Sequence, residues 1–594
     1  MGHQDRHTLG AVSTNDGVEF RVWAPFATAV SVLVNDSFSF TETPMLNETN
    51  GYWAATVKDA EPGRSYKYRI TTADGKTIDR NDPHARQLTD SDLGASVVVD
   101  PHFDWENIVQ PTIPKEKQII YEMHIGTFHR PDASTGGTFA SAIEKLDYLQ
   151  SLGINMIELM PVTSMATGTG WGYNPTHIYA VENVYGGRYG LLEFVKACHK
   201  RGIGVILDVV YNHFYEKTDL WQFDGWNENG NGGIYFYNDK RGETPWGVRP
   251  DYGRPEVRNY LIDNVTMWLT EYHIDGLRLD STTYMRNTRG PEGDAATAIE
   301  DTWSLLQEMT KVAHKINPHV VMIAEDSSGD ATVTLPVTDG GAGFDAQWGI
   351  SFPQGVRASL GLPNINAYTK KLSDELTLSY NNQAFQKIIF GDSHDSAANG
   401  AVRVNEAATP GNANSVFARQ YALIADAITL TAPGIPMLLQ GAEFLQEGNF
   451  NDWKMLEWDK TKQFAGIVLA HQHLINLRLN TYGNTGGLTG QSINVFHEDT
   501  ANNVIAYHRW DKGGLFDDVI VIINCSDQRF KNYELSLPIA GTWRVRFNSS
   551  WKGYSPDFNE TTVSTITTAE QSKVSLALAD YNILILSQDP IEES

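Results

Sequence analysis

The sequence predicts an α/β protein in three parts. A TIM-type (β/α)8 barrel is expected over residues 119–480, a β-sandwich before it over 1–100, and an all-β sandwich after it over 481–594. Three observations point there. Hydrophobic alternation with a period of two runs through the first hundred residues and returns after about residue 480. Between these stretches, short apolar runs alternate with helical segments, the pattern of a parallel sheet with crossover helices. A chain of 594 residues is also too long for one ordinary core.

In the first part, Val18–Trp23, Val30–Val34, Tyr52–Val57 and Tyr66–Ile70 read as strands. Turn signals at Asn15-Asp16-Gly17, Glu61-Pro62-Gly63 and Ala73-Asp74-Gly75 separate them. Residues 101–118, polar and proline-containing, read as a linker. Eight strands follow: Ile119–Ile125, Ile154–Met160, Val205–Val209, Gly276–Leu279, Val320–Ala324, Gly343–Trp348, Lys387–Gly391 and Pro436–Gln440. Helices are expected between them at Phe139–Leu152, Leu191–Arg201, Glu256–Tyr272 and Ala295–Ile316. Residues 214–253, rich in Gly, Asn, Trp and Tyr, form a loop long enough to be functional or a subdomain. The last part offers strands at Asn503–Trp510, Asp518–Asn524, Thr542–Phe547 and Asn582–Ser587, then a short acidic tail. The chain shows no internal repeat.

Composition excludes several classes. Against 46 Lys and Arg stand 72 Asp and Glu, a formal charge of −26, which opposes binding to nucleic acid or an anionic membrane surface. No apolar run reaches the ~18 residues of a membrane span. Met1–Gly10 is polar and shows no apolar stretch of the kind a secretory signal carries. Cys198 and Cys525 are the only cysteines and fall in different predicted domains, so no disulfide framework is implied and a reducing cytoplasm is the expected location. A neutral sugar polymer suits such a surface, and 15 Trp and 25 Tyr offer flat faces for pyranose rings.

In a barrel of this kind chemistry belongs at the C-terminal ends of strands. The third strand ends in Asp208-Val-Val-Tyr-Asn-His213, the fourth in Gly276-Leu-Arg-Leu-Asp280, the fifth in Ala324-Glu-Asp326, and the seventh in Gly391-Asp-Ser-His-Asp395. Four carboxylate-bearing strand ends thus open on one mouth. Glycoside cleavage needs one carboxylate to attack the anomeric carbon and another, protonated, to serve the leaving oxygen. Arg278, two residues before Asp280, lies on the same strand face and can keep that carboxylate ionised.

These strings resemble the signature regions of the α-amylase superfamily, glycoside hydrolase family 13. Phe20-Arg-Val-Trp-Ala-Pro25 and Asp82-Pro-His-Ala-Arg86 look like the N-terminal, carbohydrate-binding-module-like (starch-binding-type) sandwich of branching enzymes, isoamylases and maltooligosyltrehalose trehalohydrolases. Ile120-Tyr-Glu-Met-His-Ile-Gly126 looks like their first barrel strand. The resemblance implies a retaining α-glucan glycosidase or transglycosylase. Asp280 would be the nucleophile, Glu325 the acid/base and Asp395 the transition-state stabiliser. Arg278, His213, His394 and Asp208 would shape the −1 subsite, with Tyr173 stacking beneath its sugar. Neither a cofactor nor a metal is implied; Asn212 resembles a calcium ligand of secreted amylases, but a structural role is expected for it.

Ser393 before His394-Asp395, and Gly172-Tyr173-Asn174, resemble branching enzymes, whereas Glu325-Asp326 is closer to the trehalohydrolases. Ser281-Thr282, after the nucleophile, fits neither group. The expected activity is therefore that of a 1,4-α-glucan (glycogen) branching enzyme, with a trehalohydrolase or α-amylase as alternatives. A catalytically inactive glucan-binding protein is the alternative of another class. The expected partner is an α-glucan such as glycogen, starch or a maltooligosaccharide. Asp326 and Asp392 are expected to point away from the site, His124 to be a buried strand histidine, and Trp23, Trp53 and Tyr68 to be sandwich core.

Overall fold

The structure is a computed structural model and describes residues 9–35, 39–90, 94–131, 136–361, 368–563, 565–569 and 572–589. Most of the polar N-terminal stretch and the acidic tail read from the sequence lie outside these residues. Eight parallel strands close in chain order into a barrel. They are Ile120–Met123 (β1), Met156–Leu159 (β2), Gly204–Val209 (β3), Gly276–Leu279 (β4), Val321–Ala324 (β5), Ala346–Trp348 (β6), Lys387–Ile389 (β7) and Ile435–Leu439 (β8). Every residue of β1 to β8 is buried, as expected where one face fills the barrel and the other meets helices.

The chain forms two compact units. One comprises residues 1–111, 124–146 and 159–345, and the other 112–123, 147–158 and 346–594. The first contains the N-terminal sandwich. Its four-stranded sheet runs Gly10–Thr14, Gly17–Trp23, Tyr52–Val57, Leu46–Asn47. Its other sheet orders Phe40–Pro44, Ala29–Asn35, Ser65–Thr71, Thr77–Arg80, with Ser96–Val97 paired to Ser65–Thr71. Alternation does what the sequence expects: Val18, Phe20 and Val22 face Tyr66, Tyr68 and Ile70 in the core, while the residues between them reach the surface. Trp23, Trp53 and Tyr68 are buried as core residues.

The second unit contains the C-terminal sandwich. Its six-stranded sheet orders Ser492–Asp499, Val504–Trp510, Val519–Asn524, Asn582–Asp589, Gly541–Asn548, Ile566–Thr568, and packs on the pair Phe530–Ser536 and Lys573–Leu578. Trp543, Leu584, Leu586, Leu535 and Leu576 sit at the centre of that core.

Two of the expected helices are shorter than the sequence pattern suggests, whereas the one expected at Leu191–Arg201 is longer, Gly187–His199. Phe139–Leu152 is two helices, Phe139–Ile143 and Leu146–Leu152, because the chain tightens at Glu144, whose N–H turns back to Ser141 O. The helix expected from Ala295 starts at Asp301. Asp294 instead caps a single 3-10 turn, Ala295–Thr297. The first strand, expected to reach Ile125, ends at Met123, and Ile125–Phe128 form a short helix with His124 as its buried N-cap, held by Thr127 Oγ1 and the carbonyl of Gly170.

Candidate active site

Register places the central ion pair. In the parallel pairing of β3 with β4, Asp208 lies opposite Arg278, so both side chains leave neighbouring strands on one face. Arg278 Nη1 donates to Asp208 Oδ2 at 2.7 Å and to Asp280 Oδ1 at 2.8 Å, and Nη2 lies 3.7 Å from Glu325 Oε2. Asp280 and Glu325 continue adjacent strand ends: Asp280 N–H donates to Val209 O, and Glu325 N–H to Leu279 O. One fully buried guanidinium thus serves three carboxylates. Asp280 and Glu325 each keep 14% side-chain exposure, against 3% for Asp208. Burial pushes Asp208 up to about 6, helped by the Asp280 charge and opposed by Arg278 and the Tyr173 hydroxyl.

Two supports of Asp280 and Glu325 were not read as such from the sequence. Asn212 Nδ2 donates to Asp280 Oδ2 at 2.7 Å and to its carbonyl at 3.0 Å, holding the second carboxylate oxygen. The Ser281 N–H donates to Glu325 Oε2 at 2.6 Å. That amide points inward because Ser281 adopts left-handed backbone, φ 43°, a conformation that costs a non-glycine residue about 1 kcal/mol or more. The signal for Asn212 lay in its place one residue before His213. For a backbone amide there is none.

His213 Nδ1 faces Asn212 Oδ1 at 2.5 Å and Nε2 faces the Tyr173 carbonyl at 2.7 Å. The neutral ring has one N–H and donates to one of these two oxygens. Burial opposes a charge on the ring more than Asp280 favours it, and the pKa is lowered. Tyr173 hydroxyl donates to Asp208 Oδ2 at 2.6 Å, beside the Arg278 guanidinium. Gly172 must be glycine: φ is +94°, and a Cβ would meet Pro161 O at 2.4 Å. The structure thus brings Asp208, Tyr173, His213, Arg278, Asp280 and Glu325 into one cluster. Trp246, half exposed on the 214–253 loop, borders it, 5.5 Å from His213 and 4.7 Å from Tyr284 between ring centroids.

His394 and Asp395 follow β7, in the second unit. Glu122, on β1, accepts from His394 Nδ1 at 2.5 Å and from its backbone N–H at 2.8 Å. That second hydrogen-bonded carboxylate explains why a glutamate sits fully buried inside a barrel strand. Sequence reasoning quoted Glu122 in its motif without assigning it a role. His394 Nε2 lies 3.5 Å from Asp395 Oδ1, and Asp395 is half exposed.

Asp326 and Asp392 are occupied elsewhere. Asp392 pairs with Arg357 at 2.5 Å and caps Val404 N–H. Asp326 pairs with Arg286 at 2.7 Å and accepts from Thr282 Oγ1 at 2.9 Å. Thr283 lies 3.3 Å from Ser327 Oγ, and Arg286 reaches Ser328 and Asp330. Thr282, after the candidate nucleophile, and Asp326, the feature that resembles the trehalohydrolases, therefore touch each other. Among the described residues, no group of three or more His, Cys, Asp or Glu is placed to hold a metal ion.

Comparison with known proteins agrees with this geometry. The family model for the α-amylase catalytic domain matches residues 122–250 and 224–472. Carbohydrate-binding module 48, the isoamylase N-terminal domain, matches residues 8–85, and the α-amylase C-terminal all-β domain matches 495–589. A 1,4-α-glucan branching enzyme GlgB of Corynebacterium jeikeium is 31% identical over 571 residues, covering 91% of this chain and 77% of that protein. The enzyme of the same name from Bacillus cereus is 31% identical over 564 residues, covering 91% and 84%. Among solved structures, a pullulanase from Anoxybacillus sp. LM18-11 complexed with maltotetraose superposes with TM-score 0.77 at 22% identity, covering 98% of this chain and 87% of that one. A putative α-amylase from Salmonella typhimurium gives TM-score 0.72 at 23% identity, covering 98% and 99%. The chain belongs to the α-amylase family.

Proposed function

We propose that this protein is a 1,4-α-glucan branching enzyme that works by double displacement on Asp280. In the first step an Asp280 oxygen attacks the anomeric carbon, the glycosidic bond breaks, and Glu325 protonates the departing 4-oxygen. In the second, Glu325 takes the proton of an acceptor 6-hydroxyl, whose oxygen displaces Asp280 and forms an α-1,6 linkage. Asp395 and His394 stabilise the oxocarbenium-like state from the ring hydroxyls, and Tyr173 and His213 bound the −1 sugar. The observation that carries the chemistry is the single Arg278 guanidinium contacting Asp208, Asp280 and Glu325. Arg278 holds an Asp280 oxygen at 2.8 Å and approaches Glu325 only to 3.7 Å, so the cation bears more on the proposed nucleophile than on the proposed proton donor.

The choice of branching rests on the relatives that carry that name at about 31% identity over most of the chain. The feature that leaned towards trehalose release, Asp326, is tied to Thr282 and Arg286, so it supports the strand-end loops and says little about the acceptor. The α-glucan is the partner we propose. The buried thiols of Cys198 and Cys525 suit the cytoplasm as its location. No described helix is long and apolar enough to cross a membrane.

Incubation with amylose, and separately with maltooligosyltrehalose, tests the assignment. Branching gives new α-1,6 linkages with little gain in reducing ends. Steadily rising reducing ends would replace it with hydrolysis, and free trehalose without branches with a trehalohydrolase. Binding of glucan with no turnover on either substrate would revive the inactive binding protein.

A further inference from the structure

Arg188, second residue of the helix Gly187–His199, is 2% exposed. Its Nε and Nη1 are buried and donate to no described residue. Its near neighbours are the ring faces of Tyr189 at 5.4 Å and Tyr272 at 5.8 Å. It lines a cavity of about 270 Å3 together with Ser13, His84, Arg86 and Glu271. The other charges in that wall cancel. Arg86 donates from Nε and Nη2 to Glu271 at 3.3 and 2.7 Å, and from Nη1 to His84 O at 2.8 Å. Ser13 Oγ and His84 Nε2 are also buried with no described hydrogen-bond partner. Burial, and then the Arg86 charge, hold the His84 pKa down to about 3, so the imidazole is neutral and can donate from Nε2.

We infer that this cavity, walled by the N-terminal sandwich on one side and the Arg188 helix on the other, is a binding site for a phosphate monoester. A buried guanidinium whose Nε and Nη1 meet no acceptor is far costlier than a missing neutral hydrogen bond, and an anion in the cavity removes that cost. Three separate donor groups, the guanidinium, a hydroxyl and an imidazole N–H, match the three free oxygens of a tetrahedral oxyanion better than the two of a carboxylate. The rest of the wall is mainly aliphatic, around Ala11, Val97 and Val99. The volume exceeds that of inorganic phosphate and leaves room for a group of about hexose size. The same donors would accept free phosphate, so the attached group is what separates the two sources. Because the ligand would touch both the sandwich and the barrel helix, its binding should stabilise their association.

Titration calorimetry on the full chain at constant ionic strength tests this with inorganic phosphate and glucose 6-phosphate as probes and chloride as control. One saturable site per chain is expected, with a dissociation constant on the order of 0.1–1 mM. Arg188→Met should weaken it at least tenfold and Ser13→Ala several-fold, each loss being that of a charge-assisted or neutral hydrogen bond. Tighter binding of the hexose phosphate assigns the site to the ester; equal affinities assign it to the phosphate alone. Saturating ligand should also raise the melting temperature of the unaltered chain by about 1–3 °C. Absence of saturable heat with both probes up to about 10 mM, or unchanged affinity in Arg188→Met, overturns the inference. Should Arg188→Met fail to fold, Ser13→Ala and Arg188→Lys, which keeps the charge but loses the fork, decide by the same criterion.

Discussion

Arg278 is the residue on which the site turns, because its one charge is shared among three acids. Asp280→Asn and Glu325→Gln keep shape while removing the proposed nucleophile and the proposed proton donor. Each should lower kcat by at least ~10²-fold with an unchanged melting temperature; a variant keeping more than about a tenth of the activity would remove the role proposed for that residue. Asn212→Ala frees one oxygen of Asp280 without removing a reacting group, so a smaller loss, roughly 10-fold, is expected in kcat rather than in KM. Asp208 makes a pH prediction. Its carboxyl is harder to ionise in the folded chain, at about 6, than unfolded, at about 4. Its contribution to stability is therefore complete below about pH 4 and is lost as the pH rises through 6, by up to about 2–3 kcal/mol. Asp208→Asn should flatten the dependence of melting temperature on pH across that window. An unaltered slope would show that Arg278 keeps Asp208 ionised throughout.

Among the elements, the 214–253 loop carries the prediction on substrate length. Trp246 presents a half-exposed ring beside His213 and Tyr284. Stacking on a sugar next to the −1 position is its expected work. Trp246→Ala should raise KM for amylose several-fold, shift the length of transferred chains, and leave the melting temperature within about 2 °C. Unchanged KM and chain length would make Trp246 a loop-packing residue. The loop was legible in the sequence as a long aromatic insertion, but which of its rings would reach the site was not, since that depends on how the loop folds back. Four strand ends, after β3, β4, β5 and β7, were legible because each carries an acid after an apolar run, a pattern that chance seldom repeats. The hairpin of Thr163–Met165 with Pro175–Val181 was missed because all ten residues are buried, and a strand buried on both faces shows no period of two. Glu122 and Asn212 were under-read for a related physical reason. A buried polar residue in or just beyond a barrel strand is explained by its partner, and the partners, His394 and Asp280, stand 272 and 68 residues away.

At the scale of the molecule, the N-terminal sandwich is joined to the barrel elements of its own unit by aromatic packing rather than by a tether. His84 packs against Tyr179, tilted, and Tyr260, edge-on, with centroids 4.8 and 5.2 Å away, and Trp23 meets Tyr235 edge-on at 5.8 Å. Tyr260 hydroxyl donates to Pro83 O at 3.1 Å, Phe26 N–H to Asp224, and Asn81 N–H to Asp219. Tyr179, Tyr235 and Tyr260 are each less than 5% exposed. Aromatic side chains bury about 150–250 Å2 apiece, so uncovering even half of three such rings exposes roughly 300 Å2. At ~25 cal/mol per Å2 that costs about 7 kcal/mol, within the ~5–15 kcal/mol that holds most domains folded. Deletion of residues 1–100 should therefore give an insoluble or unfolded protein, with no cooperative thermal transition and no turnover, through loss of the barrel's cover rather than loss of glucan affinity. Expressing the shortened chain and measuring solubility and its melting curve decides the matter. A soluble product that melts cooperatively and keeps wild-type kcat on short maltooligosaccharides would make the sandwich a separable module, and the aromatic seam a contact without energetic weight.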